Sequence, residues 1–105
     1  SSDLDADVKE YFAFMTKYYP KGDKVDTLNV AAYVEGRIFA EVLRRCGKDL
    51  SRKTFLAKAT ALADFKPPML RNDVVVRTEP DNYTIFRSMQ LLRFDGKENK
   101  AISTP

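Results

Sequence analysis

Apolar positions along the first half of the chain follow the period of an α-helix. They recur every three or four residues over 3–19, and Pro20 and Gly22 end this stretch. Over 29–46 apolar residues recur at every fourth position, and a row of small residues runs beside them. The two rows consist of Val30, Val34, Ile38 and Val42, and of Ala32, Gly36 and Ala40. The pattern predicts two helices, the second with an apolar face broad enough for more than one neighbour.

A third and shorter helix is predicted over 52–63. Ser51 precedes it, and a serine side chain at this position accepts hydrogen bonds from the free N–H groups of a helix start. Pro67 and Pro68 prevent the helix from continuing. Gly47, directly after the second helix, is typical of a left-handed C-cap.

The pattern changes in the last third of the chain from helical spacing to short β-branched and aromatic runs. Residues 74–76 and 83–94 have the composition of strands, and 79–82 has the composition of a turn. Asp95-Gly96 is a second turn, and 97–105 is expected to be a loose polar tail. We therefore expect three helices followed by a β-hairpin, which is an α+β arrangement in isolation.

Composition is ordinary for a globular domain. The chain has 105 residues, of which 44% are hydrophobic and 31% charged, so it forms one small domain with a modest core. The net charge of +3 comes from bases that are mixed with acids along most of the chain. This mixture is typical of a solvated surface and only weakly indicates an anionic partner.

Two residue counts limit the possible chemistry. The chain contains no His, which removes Ser-His-Asp and Cys-His nucleophile systems and most zinc sites. Cys46 is the single cysteine, so no disulfide forms within the chain, and its place in the predicted helix indicates a small core residue. The glycines are too scattered for a phosphate-binding loop. We expect no enzymatic activity, no bound metal and no cofactor.

The densest basic cluster surrounds the end of the second helix. Its members are Arg44, Arg45, Lys48, Arg52 and Lys53. Such a cluster binds phosphate or nucleic acid in some proteins, and in others it only complements the negative end of a helix. No aromatic residue for base stacking is interleaved here, so the second interpretation is favoured and no nucleic-acid partner is expected.

Two segments carry a resemblance to a known family. The first begins with Asn29-Val30-Ala31-Ala32-Tyr33 and leads through a long helix to Leu43-Arg44-Arg45-Cys46-Gly47-Lys48-Asp49-Leu50-Ser51-Arg52. The second is Phe94-Asp95-Gly96-Lys97. In this order and at this distance, they resemble the C-terminal part of periplasmic solute-binding proteins of ABC importers. The family is the branched-chain amino acid and amide type, which has two α/β lobes.

The resemblance implies that the chain is the C-terminal part of such a receptor and that residues 20–28 cross the hinge between its lobes. It implies a periplasmic protein that binds a small organic acid, amino acid or amide in the interlobe cleft and delivers it to a membrane permease. Asn29 and Tyr33 are then the candidate ligand-binding residues, at a helix start that faces the cleft. Asn29 could instead be a simple N-cap, and Tyr33 a core residue. The broad apolar face of the second helix would lack its sheet, so we expect the 105-residue chain to self-associate.

A different class of function stays open. The pI of about 9.0, the basic cluster and the aromatic segment 83–94 also suit a small basic interaction or nucleic-acid-binding module of three helices and a hairpin. The chain has no helix-turn-helix or RNP-like signature that would strengthen this alternative.

Overall fold

The computed structural model describes residues 2–63, 65–70 and 74–102, with side chains from Asp5 onward. The helices are α1 (Ser2–Tyr18), α2 (Thr27–Cys46) and α3 (Arg52–Ala59), and they are followed by strands β1 (Leu92–Phe94) and β2 (Asn99–Ala101). Three helices followed by an antiparallel hairpin confirm the expected α+β arrangement. Within these ranges, the helices are too short or too polar to cross a membrane.

Helix α2 begins two residues before the predicted position because Asp26 caps it. The Asp26 side chain accepts a hydrogen bond from the N–H of Leu28 at 2.9 Å. At the other end, Gly47 has a φ of 62°, and its N–H donates to the carbonyl of Arg44, as expected for a glycine C-cap. The expected connection 20–28 is therefore shorter, since Thr27 already belongs to the helix.

The main core forms where α2 meets α3 and the segment after it. One face of α2 is buried against side chains from 62 and 76, and Phe55 and Phe65 pack at its border. The buried members are Val34, Ile38, Val42, Cys46, Leu62 and Val76. The four-residue spacing seen in the sequence thus marks one side of this core, and Cys46 is a buried core residue as predicted.

Helix α3 ends at Ala59, four residues earlier than predicted. Thr78 binds backbone groups of Ala59 and Leu62 that would otherwise form hydrogen bonds within a longer helix. The Thr78 hydroxyl donates to the carbonyl of Ala59 at 2.6 Å and accepts from the N–H of Leu62 at 2.9 Å. The backbone N–H of Thr78 also donates to the carbonyl of Leu62 at 2.8 Å. A short antiparallel bridge between Phe65 and Val76 continues this contact.

A second core cluster joins α1 to α2. Tyr11 and Met15 of α1 are buried against Tyr33 of α2, and the Tyr11 hydroxyl donates to the carbonyl of Lys24 at 3.1 Å. Met69 packs against this cluster and also against the main core. Its φ is 71°, and its N–H donates to the Asp7 carboxylate at 3.2 Å, which anchors the loop to α1.

The hairpin differs in position from the predicted one. Residues 74–76 contribute only the bridge at Val76, and the strand expected over 83–94 is reduced to Leu92–Phe94. Its partner Asn99–Ala101 lies in the stretch expected to be a loose tail, so that expectation is wrong for these residues. All six paired residues are exposed, which is why no buried face revealed them in the sequence pattern.

Candidate ligand-binding cleft

An open cleft of about 440 Å³ lies between α1 and α2. From α1 and the residue after it, the lining consists of Phe14, Met15 and Tyr19. From α2, it consists of Asn29, Ala32, Tyr33, Gly36, Arg37 and Ala40. Both candidate residues from the sequence therefore lie in the same cleft. Its walls are mainly aromatic and aliphatic, with few polar groups, as is typical of small-molecule sites.

The floor of the cleft is formed by the row of small residues on α2. A Cβ atom added at Gly36 would meet no other atom within 4 Å, so the space above this residue is open. Ala32 and Ala40 lie one turn to either side of it. The row thus leaves room for a ligand along about two turns of helix.

Tyr33 belongs both to the cleft and to the core. Its ring centroid lies 5.2 Å from that of Tyr11 and 5.1 Å from that of Phe14, so α1 and α2 meet through three aromatic rings. Burial raises the pKa of the Tyr33 hydroxyl, which stays protonated at neutral pH. The two interpretations of Tyr33 that the sequence left open are therefore compatible.

Asn29 is the third residue of α2 and does not cap it. Its side-chain amide donates to the carbonyl of Asp23 at 2.9 Å, which ties the helix to the connection before it. The possibility that Asn29 is the N-cap is thus excluded, since Asp26 has that role. Asn29 remains at the edge of the cleft as a structural link.

The N–H groups at the start of α2 already have partners. The N–H of Leu28 donates to the Asp26 carboxylate, and the N–H groups of Asn29 and Val30 donate to the Asp26 carbonyl at 3.1 and 3.2 Å. Binding of a solute carboxylate at this helix start, which the family resemblance implied, would need these groups to be free. That mechanism needs correction, because an anion here would have to displace the cap.

Arg37 is a cleft residue that sequence reasoning missed. Its Nη1 donates to Glu10 Oε1 at 2.9 Å and to the Tyr33 hydroxyl at 3.5 Å, and its guanidinium carbon lies 5.9 Å from the Tyr33 ring centroid. The hydrogen bond with Glu10 raises the pKa of Arg37. The available signal was its spacing of four residues from Tyr33, which puts both on one helix face.

Two members of the basic cluster, Arg44 and Arg45, bind a carboxylate of their own helix. Glu41 accepts hydrogen bonds from Arg44 at 2.6 Å and from Arg45 at 2.9 Å, and these bonds lower the pKa of Glu41 to about 2. The arrangement agrees with the favoured interpretation, in which basic side chains complement the negative end of the helix. Across the described ranges, no three Cys, Asp or Glu side chains cluster in a way that could hold a metal ion.

An apolar groove of about 520 Å³ lies on another side of α2, next to α3. It is lined by Phe39, Leu43, Leu50, Arg52, Phe55 and Leu56. Phe39 and Leu56 are 55% and 58% exposed, so this groove leaves more apolar surface uncovered than scattered single residues would.

Comparisons of the chain with protein-family models, with curated proteins and with solved structures found no match.

Proposed function

We propose that this chain is the C-terminal part of a solute-binding protein of an ABC importer, and that the cleft between α1 and α2 belongs to its solute site. The solute is a small organic acid, amino acid or amide. The observation that carries the proposal is that Asn29 and Tyr33, which the family resemblance singled out, line one cleft with aromatic and aliphatic walls. Such walls suit the apolar body of a small solute.

The position of the cleft also fits this role. In the resemblance, α1 belongs to one lobe and α2 to the other, and the connection between them crosses the hinge. A cleft between these two helices therefore corresponds to an interlobe cleft, which closes on its ligand by a hinge movement. The function is binding and delivery to a membrane permease from the periplasm, with no chemical change of the solute.

The test fills the cleft without disturbing the fold. In the protein expressed from its complete reading frame, Gly36→Leu extends a side chain into the open space above Gly36. Replacing a helical glycine also favours the helix, and circular dichroism of the variant separates loss of binding from unfolding. Calorimetric titration with small organic acids, amino acids and their amides should detect a ligand for the wild type and at least a tenfold weaker affinity for the variant.

Ala31→Leu is the matched control, since Ala31 is exposed on the same helix and does not line the cleft. Its affinity should equal that of the wild type. Absence of binding to all three solute classes in the wild type, or equal affinity in the Gly36→Leu protein, would refute the proposed site.

A further inference from the structure

Within the proposed function, we infer that the solute is an organic acid with a flat or branched apolar body and no ammonium group, and that Arg37 binds its carboxylate. This inference rests on the proposed function and narrows its three solute classes to one. Its basis is the distribution of charge in and around the cleft.

Arg37 alone carries a charge among the described residues that line the cleft. A ligand carboxylate in an apolar cleft needs a positive partner, because its burial without one is costly. The helix start cannot take this role, since Asp26 already occupies the N–H groups there. The charge-bearing end of the solute is therefore directed to Arg37.

The guanidinium of Arg37 has donors left for a second acceptor. Its hydrogen bonds to described residues, to Glu10 and to Tyr33, both use Nη1. A guanidinium offers five N–H donors in a planar fork and commonly binds a carboxylate through two of them. The guanidinium carbon also lies 5.9 Å from the Tyr33 ring centroid, within the range of a cation–π contact. The Arg37 side chain is 44% exposed, so it is accessible to a ligand.

An ammonium group would meet the wrong charge here. No Asp or Glu is among the residues described as lining the cleft. A neighbouring cleft of about 340 Å³ shares Arg37 and Ala40 and is also lined by Arg44, Lys66 and Glu41. Glu41 already binds two arginines. Arg37, Arg44 and Arg45 outnumber their partners Glu10 and Glu41, so these paired groups carry a net positive charge, which disfavours the α-ammonium group of an amino acid.

A neutral amide has no negative charge to pair with the Arg37 guanidinium. Both groups can accept hydrogen bonds from Arg37, but only the carboxylate adds the attraction of opposite charges, so the cleft should prefer the acid over its amide. The aromatic walls from Phe14, Tyr19 and Tyr33 suit a ring or a branched chain of limited volume. The aromatic walls therefore select the apolar part of the solute, and Arg37 selects its carboxylate.

The experiment compares three probes that share one body. 3-Phenylpropanoate, phenylalanine and 3-phenylpropanamide are titrated by calorimetry into the protein expressed from its complete reading frame, together with the branched set 4-methylpentanoate, leucine and 4-methylpentanamide. We expect an acid of one set to bind at least about tenfold tighter than the amino acid and the amide of that set.

Three variants test the role of Arg37. Arg37→Gln should remove the preference for the acid over the amide, while Arg93→Gln, an exposed change on β1, should not. Glu10→Gln removes the acid that competes for Arg37 and should tighten binding of the acid severalfold. Because Glu10→Gln leaves Arg37 in place, it tests the inference even if Arg37→Gln fails to fold.

The outcomes separate the inference from the proposed function. An amino acid or amide that binds as tightly as the acid, or a Glu10→Gln variant with unchanged or weaker affinity for the acid, overturns the inference and leaves the solute site standing. If neither acid probe binds but another solute does, the inference is also overturned and the solute site still stands. If no organic acid, amino acid or amide binds at all, the proposed function itself falls.

Discussion

Thr78 shows how much one hydroxyl can contribute to this small core. It is buried, and its oxygen joins the carbonyl of Ala59 to the N–H of Leu62 across the end of α3. Both backbone groups would lack partners without it, because the helix has ended and no strand has yet begun. The hydroxyl therefore fixes where α3 stops and how the following segment crosses it.

Replacing Thr78 by Val should destabilise the fold by about 1–3 kcal/mol, since the shape is kept but two buried backbone groups lose their partner. Urea unfolding followed by circular dichroism measures the change. Thr84→Val is the matched control at an exposed position and should alter the free energy of unfolding by less than about 0.5 kcal/mol. A Thr78→Val protein as stable as this control would show that the hydroxyl is dispensable.

At the same scale, single residues show where sequence reasoning ended. Tyr33 was identifiable because it lies in the segment that carries the family resemblance. Arg37 was not, because an arginine on an otherwise apolar helix face is usually a solvated charge. The partner that the sequence could not indicate is Glu10, 27 residues earlier in the chain, which binds the Arg37 guanidinium beside the cleft.

At the scale of elements, α2 follows its sequence most closely. Its apolar spacing and its glycine C-cap are local signals, and both correspond to what the structure shows. Helix α3 and the strands follow it less well, because their ends depend on partners far along the chain. The contact of Thr78 with Leu62 and the pairing of β1 with β2 produce no periodic pattern of apolar residues in the sequence.

Helix α2 also carries a pH-sensitive ion pair. Hydrogen bonds from Arg44 and Arg45 lower the pKa of Glu41 from 4.5 to about 2 in the folded state. The folded chain therefore binds fewer protons than the unfolded chain in this window, and stability from Glu41 is lost as the pH falls from 4.5 through about 2.

Glu41→Gln should make the free energy of unfolding less dependent on pH between about 5 and 2, because Gln does not titrate. Asp95, whose pKa is also lowered to about 2, adds a slope of the same sign in both proteins, so the comparison relies on the difference between them. Urea unfolding at a series of pH values gives the measurement. Glu35→Gln, an exposed change on the same helix, is the control for replacing a glutamate by glutamine in α2. Equal slopes in the wild type and the Glu41→Gln protein would contradict the assignment.

At the scale of the whole molecule, apolar surface exceeds what the described residues cover. The groove beside α3 contains Phe39 and Leu56, and Leu50 at its edge is 64% exposed. The sequence predicted uncovered apolar surface on the face of Val30, Val34, Ile38 and Val42, but the structure buries most of that face in its core, and the open surface lies beside it. The sequence could not predict which side would stay open.

The 105-residue chain should therefore form dimers or larger species at micromolar concentration, measured by sedimentation. Leu56→Asp puts a charge into the groove and should shift the chain towards monomer. Val25→Asp is the control, because Val25 is 79% exposed but does not line the groove. A wild-type chain that stays monomeric over this range would show that the groove does not mediate self-association.

The attachment of α1 has a consequence for the rate at which the cleft exchanges its contents. Among the described residues, this helix is held by the small cluster around Tyr11, by the ion pair of Glu10 with Arg37 and by the hydrogen bond from Met69 to Asp7. An element with few buried contacts opens at a lower free energy than the fold as a whole. Each opening of α1 removes the wall formed by Phe14 and Met15. For a solute bound as we propose, the residence time would be limited by how often this one helix opens.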